Sequence, residues 1–522
     1  MDTCTAFEAK HQEVITGKLT TFDRMIFKGY LTGFFGEGRF QAFLSRQGVL
    51  LKDFGKYVER ATAGVKAHAE RLAADSGRPF IYLRSATTKA SGESKGDLAR
   101  QIAVRDRITE GLVCVFSVLE PCRSFDVRGN RETKRLEVVR RERKCLHFYF
   151  YYIDPEFGFL HVRLQSWFPF EIQIWINGRE WLAHRLDSLG IRYERYENSF
   201  QSLADLKRVQ SVCTKFAHRR WPRALNALAR RVNPLLPFIE RLGFGGYYWV
   251  FDQTEISTDI MFRDRKSLEA ILPDLLRYAT LALSAEDVLR FLGRKLHGKF
   301  KGELTTSLAK RPRGWRVKHR MKRNSIKLYD KGCVLRIETT INNPREFKVL
   351  KRVRTRRGDL RRWLPMGKGV ANLWRYAQVG ELANRRYLEA LAQVQPQGKA
   401  VSELERLCRS RVADGRRYAK FNPVSAEDSR LFAAALAGEH LINGFRNRDL
   451  AARLHPTPVS APDARRRCAR LSRLIRKLRG HQLIAKVPHS RLYRVTARGS
   501  LVMSAALHFR HIFFPEGYAM PS

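Results

Sequence analysis

The chain has 522 residues, with 98 Lys+Arg against 51 Asp+Glu, a formal net charge of +47. That imbalance repels itself in a compact fold and attracts polyanions, and a phosphate backbone returns affinity through counterion release. Hydrophobic residues at 44% and aromatics at 11% exclude a disordered basic tail, and no run of about 18 uncharged apolar residues offers a membrane span. The opening stretch MDTCTAFEAKHQEVITGKL lacks an apolar signal core, so a cytoplasmic location without a membrane partner is expected. Eight cysteines (4, 114, 122, 145, 213, 333, 408, 468) contain no CxxC pair. This argues against a zinc ribbon or disulfide framework and for reduced, mostly buried thiols.

The expected class is α+β and multidomain: a helical N-terminal region, an antiparallel sheet core with helices, and a C-terminal winged helix-turn-helix. Residues 1–140 read as a mainly helical basic domain. FDRMIFKGYL (22–31) alternates apolar and basic residues, and the stretch 48–77 reads as a long amphipathic helix ending at Gly77. GLVCVFSVLEPC (111–122) reads as a buried strand. Residues 141–245 form a β-meander plus helices. CLHFYFYYID and FLHVRLQSW flank an Asp154–Gly158 turn, FEIQIWI is a third strand, and a helix follows, capped by Asn177 and stopped at Gly190. Residues 246–396 form a sheet and hairpin domain with a helix pair, and QVQPQGKAV is a linker into a final domain at 400–510.

In that last domain SRLFAAALAG, GFRNRDLAARL and DARRRCARLSRLIRKLRG are three helices, and LIAKVPHSRLYRVTARGS is a two-stranded wing. Leu471, Leu474, Ile475 and Leu478 fall at helical spacing as the buried stripe. The other faces carry Arg466, Arg470, Arg473 and Lys477, and the wing tip carries Arg491, a charge pattern suited to a groove between phosphates. In order and size the segment resembles MarR-type winged-helix modules.

The hairpin IKLYDKGCVLRIETTI and the strand WVFDQTEISTDIMF bear the chemistry. Alternation places Arg336, Glu338 and Thr340 on one face of the first, and Glu255, Ser257 and Asp259 on one face of the second. Acids in apolar strands are costly unless paired, hydrogen-bonded or metal-bound. Beside the basic run 309–323 they match a divalent-metal phosphoryl-transfer site, with carboxylates on Mg2+ or Mn2+ and cations on phosphate. The candidate metal ligands are Glu338, Asp330, Glu255 and Asp259, the phosphate binders Lys327, Lys331 and Arg336, and further nucleic-acid contacts Arg313, Arg316, Lys318 and Arg320.

The turn Lys327-x-Tyr329-Asp330-Lys331 followed by Arg336-x-Glu338 resembles the hairpin of rolling-circle replication initiators of filamentous phages and plasmids. The likeness spans residues 247–390. It implies a metal held by the acids and a tyrosine on a later helix that attacks the DNA phosphodiester; Tyr387 and Tyr376 stand there. Where most such nickases carry a His-hydrophobic-His pair, FLHVRLQ has one histidine, His161. Two other readings attach to the meander. Asp154, Glu171 and Asp252 would suit an RNase H-like carboxylate site, and Tyr149, Tyr151, Trp167, Phe170 and Trp175 would stack on unpaired bases. FDRMIFKG, GVLLKDFG, NGREWLA, VLRFLGRKL and LRIETTINNPREF resemble a group of uncharacterised bacterial reading frames of mobile elements.

Two functions follow. One is a mobile-element protein that binds DNA and nicks or rejoins a strand, a metal-dependent endonuclease or strand transferase such as a replication initiator or transposase. The other is an RNA-binding protein in a ribonucleoprotein with a large structured RNA, without catalysis of its own. A regulator using the winged helix alone ranks last.

Overall fold

The computed structural model describes residues 4–84, 94–293, 304–311, 314–355, 358–394, 405–413, 415–457 and 460–513. Arg313 and most of the linker QVQPQGKAV lie outside the described residues. The fold is α+β. Its first strands are β1 (Ile15–Leu31), β2 (Phe80–Leu83), β3 (Gly111–Gly129), β4 (Leu136–Asp154), β5 (Gly158–Gln165), β6 (Ile172–Asn177), β7 (Tyr193–Tyr196), β8 (Ser199–Leu203) and β9 (Tyr247–Phe262). Then come β10 (Leu304–Arg311), β11 (Gly314–Met321), β12 (Asn324–Lys331), β13 (Val334–Ile341), β14 (Lys348–Thr355), β15 (Gly358–Pro365), β16 (Arg411–Ala413), β17 (Arg416–Tyr418), β18 (Ile484–Lys486) and β19 (Tyr493–Val495).

Two compact units are each assembled from separated stretches, where the sequence reading used four consecutive segments. The meander unit is Lys18–Asp259 with Glu338–Glu381; the hairpin unit is Met1–Gly17, Ile260–Ile337 and Leu382–Ser522.

In the meander unit the strand order is β9-β1-β6-β5-β4-β3-β2. β1 pairs antiparallel with β6, and β6, β5, β4 and β3 follow as antiparallel neighbours. β2 joins β3 in parallel. A parallel pair needs a long crossover, and the helix Lys95–Arg105 lies in that connection. The N-terminal region is therefore not mainly helical: β1 to β4 stand among its helices. FDRMIFKGYL belongs to β1, where Met25, Phe27, Gly29 and Leu31 are buried and Arg24, Ile26, Lys28 and Tyr30 are not. That period of two is a strand signature, present in the sequence as the alternation of apolar and basic residues. Gly29 is required here, since a Cβ would stand 2.6 Å from Ile172 and 2.9 Å from Trp249. The amphipathic helix is Phe54–Asp75, ended by Gly77 at φ 61°. The β4–β5 turn closes at Asp154↔Gly158, with Gly158 at φ 67° and Asp154 Oδ1 accepting from the backbone N–H groups of Glu156 (3.0 Å) and Phe157 (3.2 Å).

In the hairpin unit β10, β11, β12 and β13 are consecutive neighbours. The basic run 309–323 lies largely in β10 and β11, with Val317, His319 and Met321 buried and Arg316, Lys318 and Arg320 on the opposite face. The helix pair expected near 371–394 is one helix, Leu373–Leu391. The C-terminal stretch contains helices Ala426–Ala435, Gly438–Asn443, Asn447–Leu454 and Ala461–Gly480, the β18–β19 hairpin, and helix Ala497–His508. Leu471, Ile475 and Leu478 pack with Phe432, Phe445, Leu450, Val502 and Met503, and Leu474 lies partly buried against them. Among the described residues no helix is long and apolar enough to cross a membrane.

Candidate functional site

The buried acids of β9 lie in the meander unit. Asn177 caps helix Gly178–Ser188, its Oδ1 accepting from the N–H of Arg179 at 2.9 Å and of Glu180 at 3.4 Å. Gly178 permits the close approach, because a Cβ would lie 2.5 Å from the Phe22 carbonyl oxygen. Arg179 then points into the interior. Its Nη1 donates to Asp259 Oδ2 at 2.7 Å and its Nη2 to Ser257 Oγ at 2.8 Å, with Asp23 Oδ2 at 3.7 Å from Nε. Asn198 donates to Asp23 Oδ1 at 2.6 Å and accepts from Asn177 at 3.2 Å. Arg179 and Asp259 are both fully buried. Asp259, expected as a metal ligand, is instead the counter-ion of a buried guanidinium. FDRMIFKG and NGREWLA contain Asp23, Asn177 and Arg179, but nothing local in sequence joins them to Asp259.

Glu255 accepts from Gln253 Nε2 at 3.1 Å and Thr340 Oγ1 at 3.5 Å, and lies 3.6 Å from Arg24 Nε. Glu338 is buried on the same strand face as Thr340. Tyr376 is buried too, its hydroxyl donating to the Gly367 carbonyl at 3.3 Å and its ring against Phe251; burial pushes that hydroxyl's pKa up.

In the hairpin unit Asp330 is clamped by Arg265. Nη2 donates to Oδ2 at 3.1 Å, Nη1 contacts Oδ1, and Nη1 also donates to the Gly332 carbonyl at 2.7 Å. The carboxylate thus holds the β12–β13 turn to a cation, the opposite of a vacant metal ligand. Lys327 is buried and Lys331 half-buried, with their ammonium groups 6.0 and 5.7 Å from the Tyr329 ring. Arg336 is buried. Register aligns Arg316 with Tyr329, Lys318 with Lys327 and Arg320 with Ser325, so these cations share one face of β11–β12. Tyr387 is fully buried, hydrogen-bonded to His319 Nε2 at 2.9 Å and edge-on to Phe291; burial pushes its pKa up. Neither tyrosine presents a hydroxyl to solvent, which a nucleophile for DNA requires.

The RNase H-like carboxylates are separately engaged: Asp154 with Arg231 at 3.2 Å, Glu171 with Lys28 at 2.7 Å and Asp252 with Gln173 at 3.2 Å. Tyr149, Tyr151 and Phe170 are buried, Trp175 stacks on His161, and Trp167 Nε1 donates to the Phe125 carbonyl at 2.9 Å. Tyr149, Tyr151 and Phe170 thus build core, while Trp167 and Trp175 are half-buried.

Exposed cations also stand in the C-terminal segment. On helix Ala461–Gly480, Arg466, Arg470 and Arg473 are exposed, as is Arg491 between β18 and β19. Arg470 pairs with Glu427 at 2.6 Å, an exposed pair of small energetic weight. Lys477 differs from expectation. It is half-buried, 3.5 Å from Asp428 and 3.8 Å over the Phe421 ring, so it packs the segment.

The basic stretch 345–362 is largely a two-stranded ribbon, β14–β15, in the meander unit. Register aligns Leu350 with Trp363 and Arg352 with Arg361, placing these four on one face. Trp363 is 65% exposed. Alternation in KVLKRVRT and DLRRWLP was the available signal, hidden by the density of charge.

A further group was missed because its members come from two strands. β3 and β4 pair Glu120 with Cys145, Cys122 with Arg143 and Val118 with His147. The sulfurs of Cys122 and Cys145 are 2.8 Å apart, and with a His147 ring nitrogen all three ligand atoms lie within 4.8 Å of one another. Among the described residues this is the group of three metal-ligating side chains, and none of Glu338, Asp330, Glu255 or Asp259 belongs to it. Burial lowers the His147 pKa to about 4, so its imidazole is neutral at pH 7. Cysteine burial is also less general than expected, since Cys4, Cys408 and Cys468 are exposed. No family model, curated protein or solved structure matches this chain.

Proposed function

We propose that this chain is a nucleic-acid-binding protein of a bacterial mobile element, whose C-terminal segment grips a duplex as a winged helix-turn-helix. One observation carries the reading: helix Ala461–Gly480 buries Leu471, Ile475 and Leu478 while exposing Arg466, Arg470 and Arg473, and a hairpin with exposed Arg491 follows. A helix held by its apolar stripe can enter a groove with its basic faces toward phosphates. The net charge of +47 supplies long-range attraction. The test is binding of labelled duplex DNA, single strands and structured RNA across a salt series. Duplex affinity that falls steeply with salt, and falls further in a combined Arg466→Glu, Arg470→Glu, Arg473→Glu variant, supports the reading. Salt-independent binding, or binding indifferent to that variant, overturns it.

The β14–β15 ribbon favours a second reading, an RNA-binding protein in a ribonucleoprotein. An exposed Trp363 flanked by arginines suits stacking on an unpaired base beside a phosphate chain. Sequencing the nucleic acid that co-purifies separates the two: one abundant structured RNA supports the second reading, short heterogeneous fragments oppose it. Strand nicking would require Asp330 to leave Arg265 and Tyr387 to leave the core. The expected result is no cleavage of a labelled strand with Mg2+ or Mn2+. Cleavage that is lost in Glu338→Ala and Tyr387→Phe would restore the replication-initiator reading.

A further inference from the structure

We propose that Cys122, Cys145 and His147 form a site for one thiophilic divalent cation, zinc by the chemistry of its donors. The argument is independent of the nucleic-acid reading. Two sulfurs and one imidazole are soft and borderline donors; they suit zinc and not the hard cations Mg2+ or Mn2+, which take oxygen. Binding displaces both thiol protons to solvent, and two thiolates with one imidazole then balance the charge of the divalent ion. The Sγ atoms, 2.8 Å apart, need to open to about 3.8 Å for two Zn–S bonds of about 2.3 Å at a tetrahedral angle. Side-chain rotation on adjacent strands supplies that much.

The placement gives the ion a task. β5 runs beside β4 from Asp154↔Gly158 as far as His147↔Gln165. Beyond that point β3 and β4 continue as a pair to Gly129↔Leu136. The cluster sits at this junction, with Cys122 on one strand and Cys145 and His147 on the other, so a shared ion clamps the base of the extended pair. Three protein ligands leave a fourth position for water or another donor.

Full-length protein purified in reductant without chelator is expected to hold one zinc per chain by mass spectrometry. Cobalt substitution is expected to give a thiolate-to-metal charge-transfer band. Cys122→Ser and Cys145→Ser should lose the stoichiometric metal and the band, whereas Cys408→Ser and Cys468→Ser, at exposed positions, should keep both. X-ray absorption on the wild-type protein should show two sulfur neighbours, a readout that survives if a cysteine variant fails to fold. Reduced wild-type protein that takes up neither zinc nor cobalt overturns the proposal. So does a mass lower by two hydrogens with a Cys122–Cys145 cross-linked peptide in freshly isolated protein, which would make the pair a disulfide.

Discussion

On β9, Asp259 lies in the interior against Arg179, and Glu255 meets Gln253, Thr340 and Arg24. On helix Ala461–Gly480, Arg466 and Arg473 stand in solvent, and on the β14–β15 ribbon Arg361 and Trp363 do the same. The two kinds of region carry charge for opposite reasons. A buried ion is tolerated only when its partner and hydrogen bonds replace water. An exposed arginine keeps its hydration and remains available to a phosphate. Exposed charge is therefore the part that a polyanion can reach.

The sharpest way to break this comparison is Arg179→Met. It leaves Asp259 buried without its cation and is expected to cost about 3–5 kcal/mol of stability, read by urea denaturation. Adding Asp259→Leu should recover most of that loss. A single variant as stable as the wild type would mean that the pair is not interior.

Trp363→Ala should instead leave the denaturation midpoint unchanged and weaken single-strand binding by about 1–3 kcal/mol, measured by fluorescence anisotropy. A large stability loss with unchanged binding would move Trp363 to the structural side of the comparison.

His319 tests the interior by pH. It is buried between Thr306 at 3.0 Å and Tyr387 at 2.9 Å, and burial lowers its pKa from 6.5 to about 4. Between those values the unfolded chain binds the proton and the folded chain does not. The stability His319 allows is thus complete above pH 6.5 and is lost as pH falls toward 4, by up to about 1.4 kcal/mol per pH unit. His319→Gln should flatten that slope in denaturation curves taken at pH 7.5 and 5.

The smallest effect belongs to one exposed cation. Arg473→Ala should lower the slope of log affinity against log salt by about 1, with no change in stability. No change in slope would remove Arg473 from the interface.

Local patterns were legible where one segment carried its own signal. The Asp154–Gly158 turn, the Asn177 cap, the Phe54–Asp75 helix and the stripe Leu471, Ile475, Leu478 all depend on neighbours within a few positions. β11 was obscured because basic residues filled the non-buried positions of an alternating strand. The acids of β9 and β13 were visible as unusual, but their partners were not. Asp259 is answered by Arg179 and Asp330 by Arg265, each from a distant part of the chain.

Composition and short-range periodicity by themselves determined that this is an α+β chain with a large excess of cations and a C-terminal stretch of helices with a short hairpin. Those properties arise from residues a few positions apart, which share a strand face or a helical stripe whatever the rest of the chain does. Only the tertiary structure decided which charges are spent inside, that Tyr387 and Tyr376 are core, and that Cys122 meets Cys145 and His147. Burial and side-chain proximity are set by how distant strands pair, and register between strands is not written in either strand alone.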